Sequence, residues 1–528
     1  MIGPLDQVSP LSARTQAERD AVALVFSGLV RLGDGDTLQP DLALRWESNP
    51  AGTRWTFHLR SDAAWQDGVP FSADDVAYTV EMLQRRDYSG PGAASWSQVT
   101  VAVIDRLTVR FDLASPLGGF LQAATQPIVP RHLLEGIPAS QLSAPDSAFG
   151  RSPVGTGPYR LSKLTVGSAA FTPVAIVSTA SEPPRIGESP TPPVDALRTD
   201  APPLIPPHPT SVLSGIEFRV FESQEAAAEA YRAGYLDAVS GLVPALAGDL
   251  AEAPDSRLLR YRGATLMAVI LNLRPTHPEF RDAAVRHALL AAIDRNALVA
   301  GPLGGFAIPA AAPIPQSSWA FDAEASPVVE HDPVAAALEL QDAGWDAGAG
   351  GWALPGADRP LSVELLGSDA TSNASAYELA RAVAQDWTDL GLGVTHRAVG
   401  TAELGSRARA GDFDALLLPI NVGLDPDLYP LLASTQTTTT GSNISGLQDP
   451  ALDKLLAAAR APGGLEARRA AYSALQQQLA NGTYLLPLAF RDVIVVASDR
   501  LSGPVQRLVG DPADRFWDVL TWRLAVDR

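Results

Sequence analysis

Residue types that carry out catalysis are present in this chain, but they do not stand at the spacings that catalysis needs. No Gly-x-Ser-x-Gly sequence places a serine nucleophile on a strand-to-helix turn. Gly155-Thr156-Gly157 is followed by Pro158 instead of a helix start, so it lacks the context of a dinucleotide-binding loop. A phosphate-binding loop that ends in Lys and Ser or Thr is absent as well. These patterns predict a protein that is not an enzyme.

Metal ligation has no candidate in the sequence. The chain contains no cysteine, which excludes thiolate catalysis, disulfides, iron-sulfur clusters and thiolate zinc sites. Neither an HExxH sequence nor a His-x-His pair is present. We therefore expect no bound metal and no other cofactor. The seven histidines are scattered: His58, His132, His208, His277, His287, His331 and His396.

Length and composition describe a large folded protein. The 528 residues, with 46% hydrophobic and 19% charged side chains, are typical of a soluble chain of two to four domains. The formal net charge of −19 repels phosphate backbones and anionic lipid headgroups, so we expect no nucleic-acid partner. No apolar run reaches the roughly 18 to 20 residues that a membrane span requires.

The first third of the chain has the pattern of a small α+β unit. Residues 17–30 have helical spacing up to a glycine stop, and Trp55 to Leu59 alternate as a strand with one apolar face. Ser72 is predicted to cap a helix that reaches Leu83, with Asp75 answering it as in a capping box. The β-branched runs 99–104 and 107–113 predict a hairpin.

Residues 181–209 form a proline-rich segment. Ten prolines in this stretch favour polyproline II and oppose helix or central strand. We expect an exposed loop or linker, and a segment that docks a partner is the alternative.

The remainder alternates between strand and helix patterns. Residues 215–221, 223–233 and 236–239 read as strand, helix and strand, an order that predicts parallel pairing. Residues 361–418 repeat that order as β-α-β-α-β. The strings 232–238 and 409–415 are similar, with Gly234 and Gly411 at predicted left-handed helix ends. Duplication and convergence are equally good explanations, and two α/β lobes are expected.

Several blocks in a fixed order resemble a known family. This chain is similar, over nearly its whole length, to the family 5 extracytoplasmic solute-binding proteins, the receptors of oligopeptide, dipeptide and nickel ABC importers. The blocks are Phe26-Ser27-Gly28-Leu29-Val30 with Pro40-Asp41-Leu42-Ala43, Trp55 to Arg60 with Trp65 to Val76, Val154 to Tyr159, and Leu271-Asn272 with Phe280 to Arg286 and Ala292 to Arg295.

The resemblance implies an α/β, two-lobed periplasmic-binding-protein fold of type II, in the peptide-receptor class, with an extra α+β subdomain inserted in the first lobe. On this basis the first lobe comprises residues 1–43, 155–262 and 490–528, including the proline-rich insertion 181–209. The inserted subdomain covers 44–154 and the second lobe covers 263–489. The strands that cross between the lobes are expected near Gly263 to Leu273 and Leu486 to Val496.

The resemblance also implies a function. It predicts the extracytoplasmic solute-binding subunit of an ABC importer, a monomer that captures a peptide or peptide-like solute between its lobes and delivers it to the membrane permease. A periplasmic or cell-surface location follows, with the leader removed and a lipid anchor in the native form. Two alternatives stay open: a transport-inactive binding or scaffold protein of the same fold, and a receptor for a sugar or a metal complex.

The ligand site is expected between the lobes, with departures from the family. Peptide-binding members carry, three residues before an Asp/Glu-Pro, an Asp that pairs with the peptide amine; here that position is Val422 and the neighbouring Trp position is Pro419. Asp425 is predicted to accept a hydrogen bond from a cationic or hydroxylated solute, unless it caps the following helix. Trp319 and Phe490 are expected as aromatic walls, with core packing as the alternative. The full predicted set is Ala13, Arg14, Thr15, Gln16, Trp319, Asn421, Gly423, Asp425 and Phe490.

Overall fold

The structure is a computed structural model that describes residues 4–33, 37–92, 96, 98–174, 213–348, 350–357, 359–436 and 441–525. The predicted proline-rich insertion 181–209 lies outside these residues. Within the described ranges, no helix combines the length and the apolar character needed to cross a bilayer.

The first helix, Gln16–Val25, is shorter than the sequence predicts. Thr15 caps it by accepting a hydrogen bond from the Glu18 N–H at 3.1 Å. The expected continuation to residue 30 is wrong, because the chain turns extended at Phe26 and Leu29 donates a backbone hydrogen bond to Ala124 at 3.0 Å. Gly28 does not end the helix; a Cβ there would lie 2.6 Å from the Thr125 carbonyl oxygen, so the glycine permits this close approach.

The predicted α+β unit is an antiparallel four-stranded sheet. Its strands lie in the order Ala43–Ser48, Arg54–Leu59, Thr108–Leu113 and Val99–Asp105, which confirms the strand and the hairpin. The helix Ala73–Leu83 is also confirmed, with the Ser72 N–H donating to the Asp75 carboxylate at 3.0 Å. The buried face is aromatic: the Phe57 and Phe111 rings lie 5.5 Å apart, and those of Phe111 and Phe120 lie 5.3 Å apart.

One expected parallel pairing is wrong. Ile216–Arg219 joins an antiparallel sheet with Tyr159–Thr165 and Ser168–Pro173, whereas Ala238–Ser240 pairs antiparallel with the distant strand Leu486–Ser498. Strand order alone predicted one shared sheet. The tertiary fold instead buries Val239 against Val496 in a separate hydrophobic cluster.

The second parallel prediction is confirmed. Ser362–Ser368 pairs in parallel with both Gly393–Val399 and Ala415–Asn421, and helices Ala370–Asp389 and Thr401–Ala410 connect them. Gly411 ends its helix at φ 71°, as expected for a left-handed position, and Gly234 has φ 75°. Hydrophobic clusters cover both faces of this sheet, one around Trp387 and the other around Tyr472.

Two long strands join the two halves of the molecule. Ser256–Leu271 and Leu486–Ser498 pair antiparallel and contain most of both segments predicted to cross between the lobes; we call them the crossing strands. Their register breaks between Tyr261 and Thr265, where Arg262 and Gly263 pair with Leu508–Val509 instead. The lobe boundaries drawn from the sequence remain a prediction.

The other elements surround these sheets. The short strand Ala307–Pro309 adds to Leu486–Ser498. Two small hairpins and one antiparallel pair complete the strand inventory of the described residues: the hairpins are Val30–Leu32 with Leu38–Pro40 and Asp346–Gly348 with Gly351–Ala353, and the pair is Leu501–Ser502 with Arg523–Leu524. The remaining α-helices are Phe120–Ala123, Arg131–Leu134, Ala139–Leu142, Ala148–Arg151, Gln224–Arg232, Pro244–Ala251, Ala283–Ala291, Arg295–Ala300, Pro333–Asp342, Tyr429–Leu432, Pro450–Ala459 and Leu465–Gly482, and the 3-10 helices are Pro278–Phe280, Pro512–Phe516 and Val519–Thr521.

A buried ion pair attaches the C-terminal segment to the first helix. Arg515 donates to both carboxylate oxygens of Asp20, one of them at 2.9 Å, and the two side chains are 5% and 0% exposed. Burial raises the pKa of Asp20 above its ordinary value, and the positive charge of Arg515 opposes that rise. The pair thus holds the Pro512–Phe516 helix against Gln16–Val25.

Removing one member of this pair should be strongly destabilising. Arg515→Met leaves the Asp20 charge buried without its partner, so we expect the free energy of unfolding to fall by about 3 to 5 kcal/mol. Urea unfolding followed by circular dichroism measures it. The control is Arg381→Met, whose side chain is 66% exposed beside Glu378, with an expected change within about 0.5 kcal/mol. Equal effects of the two variants would contradict the structural role of the pair.

Asp514 predicts a pH dependence of stability. Burial raises the pKa of its carboxyl from 3.8 to about 6, although it accepts backbone hydrogen bonds from Gly510 and Asp511 at 2.9 Å. Between these two values the unfolded state binds fewer protons, so this group lowers stability as pH rises. Asp514→Asn should gain about 2 to 3 kcal/mol relative to the wild type between pH 4 and pH 7. Unfolding at both pH values tests this, with the exposed Asp249→Asn as control; a pH-independent difference would contradict it.

Candidate functional site

A cavity of about 270 Å³ lies where the register of the crossing strands breaks. Larger cavities of about 850 and 630 Å³ are lined by residues of the second half of the fold alone, and one of about 510 Å³ is lined by the first half alone. The smaller cavity instead combines the start of the first helix with both crossing strands. It is lined by Gln16, Ala17, Asp20, Ser240, Gly241, Leu242, Thr265, Arg491, Asp492, Val493, Ile494, Pro512 and Arg515. We call it the crossing cavity.

Both acidic groups of the crossing cavity have partners. Asp20 pairs with Arg515 and also accepts a hydrogen bond from the Gln16 amide at 2.8 Å. The Asp492 carboxylate, 1% exposed, is bound by Arg260 and by Arg262, the latter at 3.0 Å. Neither carboxylate therefore has a free charge to offer.

Arg491 is the unpaired charge of the crossing cavity. Its side chain makes no hydrogen bond or ion pair with any residue that the structure describes. Burial lowers the pKa of its guanidinium, because removal from water disfavours the charged form. The hydroxyl groups of Ser240 and Thr265 line the same space and are likewise without a partner among the described residues.

The predicted segment Asn421 to Asp425 lies where the two halves touch. Asn421 donates to the Gly510 carbonyl at 2.7 Å and accepts from the Gly423 N–H at 2.8 Å, with Gly423 at φ 72°. Leu424 packs with Leu32 and Leu508 of the first half. These residues connect the lobes but do not line the crossing cavity.

Asp425 is held in an ion pair. Both of its oxygens accept hydrogen bonds from Arg468 at 2.7 Å, and the Tyr472 hydroxyl lies 3.3 Å away. The guanidinium of Arg468 stacks over Trp319, 4.6 Å from the ring centre. The helix-cap alternative does not describe Asp425, because the N-cap of the following helix is Leu428; Asp427 accepts a hydrogen bond from the Tyr429 N–H at 3.1 Å.

The other predicted residues have structural roles as well. Ala13 is buried in the first-lobe core, and Phe490 is 4% exposed in the second-lobe core, so the core-packing alternative describes Phe490. Thr15 caps the first helix and Arg14 donates to Ser143. Of the nine predicted residues, Gln16 lies in the crossing cavity. Their roles in ligand binding stay a prediction.

The sequence reasoning missed Arg491. The available signal was strand alternation, because Phe490 lies in the second predicted crossing and its neighbour must point to the opposite face of the strand. Metal binding gains no support, since the described part of the chain holds no cluster of three His, Cys, Asp or Glu side chains suited to a metal ion.

Comparisons with known proteins agree on one family. The family model of the bacterial extracellular solute-binding proteins, family 5 Middle, matches residues 37–173 and 208–443. Protein XP55 of Streptomyces lividans is 27% identical over 517 residues, which cover 97% of this chain and 86% of that protein.

Two solved structures have the same fold. NikZ from Campylobacter jejuni, in complex with Ni(L-His), matches with a TM-score of 0.74 and 23% identity over 99% of this chain and 98% of its own. AppA from Bacillus subtilis, in complex with a nonapeptide, matches with a TM-score of 0.74 and 20% identity over 100% of this chain and 98% of its own.

Both likenesses show the two-lobed α/β fold of the periplasmic-binding-protein class. The chain belongs to the bacterial extracellular solute-binding proteins, family 5. The family and fold class expected from the sequence are confirmed.

The ion pair of Asp425 leads to a prediction opposite to a ligand role. Asp425→Asn should lower the free energy of unfolding of the empty protein by about 1.5 to 3 kcal/mol, because Arg468 loses a charged acceptor. Glu466→Gln is the control, since that 87% exposed side chain pairs with Arg469 on the same helix and should change stability by less than about 0.5 kcal/mol. An unchanged melting temperature together with weakened solute binding would instead support the solute contact predicted from the sequence.

Proposed function

We propose that this protein captures a peptide or peptide-like solute in the crossing cavity and delivers it to the membrane permease of an ABC importer. Membership of family 5 supports the receptor role. The observation that carries the location of the site is the cavity at the register break, which is lined by the first helix and both crossing strands.

Contacts between the lobes suggest how capture would be signalled. Asn421 binds Gly510, and Gly118 of the inserted subdomain donates to the Arg460 carbonyl at 2.7 Å. A solute that contacts both lobes stabilises the arrangement in which they touch, because a ligand shifts an equilibrium by its differential affinity for the two states. The permease would then recognise this closed form.

The size of the crossing cavity favours a compact solute. Its volume of about 270 Å³ lies just below the roughly 300 to 1,000 Å³ that small-molecule sites occupy. Val422, at the position of the amine-binding acid in the peptide-binding members, is 7% exposed and packs in the second-lobe core. This supports, as a second candidate, a non-peptide solute such as a sugar or a metal complex.

The proposed location is outside the cytoplasmic membrane, with a lipid anchor and a monomeric state. An importer receptor must meet its solute on that side, and an anchor keeps it close to its permease. The proposal assigns no catalytic step to this chain.

A ligand screen tests the receptor function. Di- to pentapeptides, sugars and metal complexes are added to the whole chain in thermal-shift measurements. A true ligand at 100 times its Kd should stabilise the native state by about 2.7 kcal/mol and raise the melting temperature. Calorimetric titration should then give a stoichiometry of one. Chemical turnover of any of these compounds that depends on a protein side chain would contradict the proposal.

A further inference from the structure

Building on the proposed function, we infer that the crossing cavity binds a carboxylate of its solute through Arg491, so that the captured solute is an organic acid or an acidic peptide. The juxtaposition behind this inference is one unpaired guanidinium beside two hydroxyl groups in a cavity whose own carboxylates are already bound.

The backbone fixes Arg491 at the register break. Arg491 pairs with Thr265 of the other crossing strand on one side and with Ala307 of the short strand Ala307–Pro309 on the other. A Cβ at Gly263 would lie 2.1 Å from the Arg491 carbonyl oxygen, so the glycine is needed where the strands separate. The guanidinium is therefore carried by a strand that is hydrogen-bonded on both sides, and strands hold binding groups more firmly than loops do.

No acidic side chain of the described residues neutralises Arg491. Asp20 has Arg515 and the Gln16 amide as partners, and Asp492 on the adjacent position is bound by Arg260 and Arg262. The side chains that line the cavity carry two negative and two positive charges, Asp20 and Asp492 against Arg491 and Arg515. Because Asp492 takes its partners Arg260 and Arg262 from outside the lining, the charge of Arg491 stays unopposed there, and it attracts anions.

The chemistry of guanidinium favours a carboxylate as its missing partner. Its planar fork of N–H donors matches two carboxylate oxygens, and such charge-assisted pairs are short and strong. A partly buried cation without a partner loses hydration, and an incoming carboxylate would restore the lost hydrogen bonds. The hydroxyl groups of Ser240 and Thr265 can donate to the same group.

Paired probes distinguish the carboxylate from the rest of the solute. The whole chain is titrated with Ala-Glu, succinate and other dipeptides and dicarboxylic acids, each beside its amide counterpart, and with inorganic phosphate. Acids should raise the melting temperature and their amides should not. If amides stabilise the protein as well as acids do, if no acid stabilises it, or if phosphate alone does so, the inference is wrong.

Variants at Arg491 provide the second test. Arg491→Gln should weaken binding of the stabilising acid about ten- to a hundredfold, while the empty protein melts at the same or a higher temperature because an unpaired charge is removed. Arg491→Lys keeps the positive charge but lacks the planar fork of donors, so its affinity for the acid should lie between those of the wild type and Arg491→Gln. Arg381→Gln, at an exposed helix position, is the control and should bind as the wild type does.

The outcomes separate this inference from the proposed function. A neutral solute that binds equally to wild type and Arg491→Gln would leave the receptor function intact and overturn the role of Arg491. A screen in which neither acids, neutral peptides, sugars nor metal complexes stabilise the protein would overturn both.

Discussion

The pairing between Ser256–Leu271 and Leu486–Ser498 is the constraint on which the rest of the molecule depends. Each strand supplies backbone hydrogen bonds to the second-lobe sheet at one end and carries the chain into the first lobe at the other. Their register breaks at residues 262–264, where Leu508–Val509 takes over the pairing. That break opens the crossing cavity, and it places Arg491 and Asp492 at the junction of the lobes. The crossing cavity therefore lies at the first of the two irregularities in this ladder.

Electrostatics then decides the character of the site. The chain is acidic overall, yet both acidic side chains that line the cavity form ion pairs with arginines. Asp20 pairs with Arg515, and Asp492 pairs with Arg260 and Arg262. The same principle applies at the far contact between the lobes, where Arg468 engages Asp425. The carboxylates of Asp20, Asp492 and Asp425 thus attach segments that are far apart along the chain. Arg491 is free to interact with a solute because these pairs leave it no acid within the part of the chain that the structure describes.

Part of the fold and little of the site could be predicted from the sequence. Local patterns located the strand at Trp55, the capped helix after Ser72 and the parallel strands of residues 361–418, because these depend on neighbours within a few turns of chain. The pairing of Ala238–Ser240 with Leu486–Ser498 was missed, since it joins strands some 250 residues apart that no local pattern connects. Asp425 was expected to face a solute, and its Arg468 partner stands 43 positions further on.

What the sequence by itself determined is the class of protein, because its ordered blocks resemble family 5 and that resemblance implies a two-lobed solute receptor. The strand-helix alternation indicated two α/β lobes, and the absence of catalytic spacings favoured a protein that is not an enzyme. Only the tertiary structure decided which charged groups around the cavity are paired within the protein, and that Arg491 is not paired with any described residue. An ion pair depends on distances of a few ångströms between side chains that are far apart along the chain, such as Asp20 and Arg515, 495 positions apart. Composition gives the number of charged side chains, but only the fold determines which of them lie close enough to pair. It leaves Arg491 without a partner among the described residues.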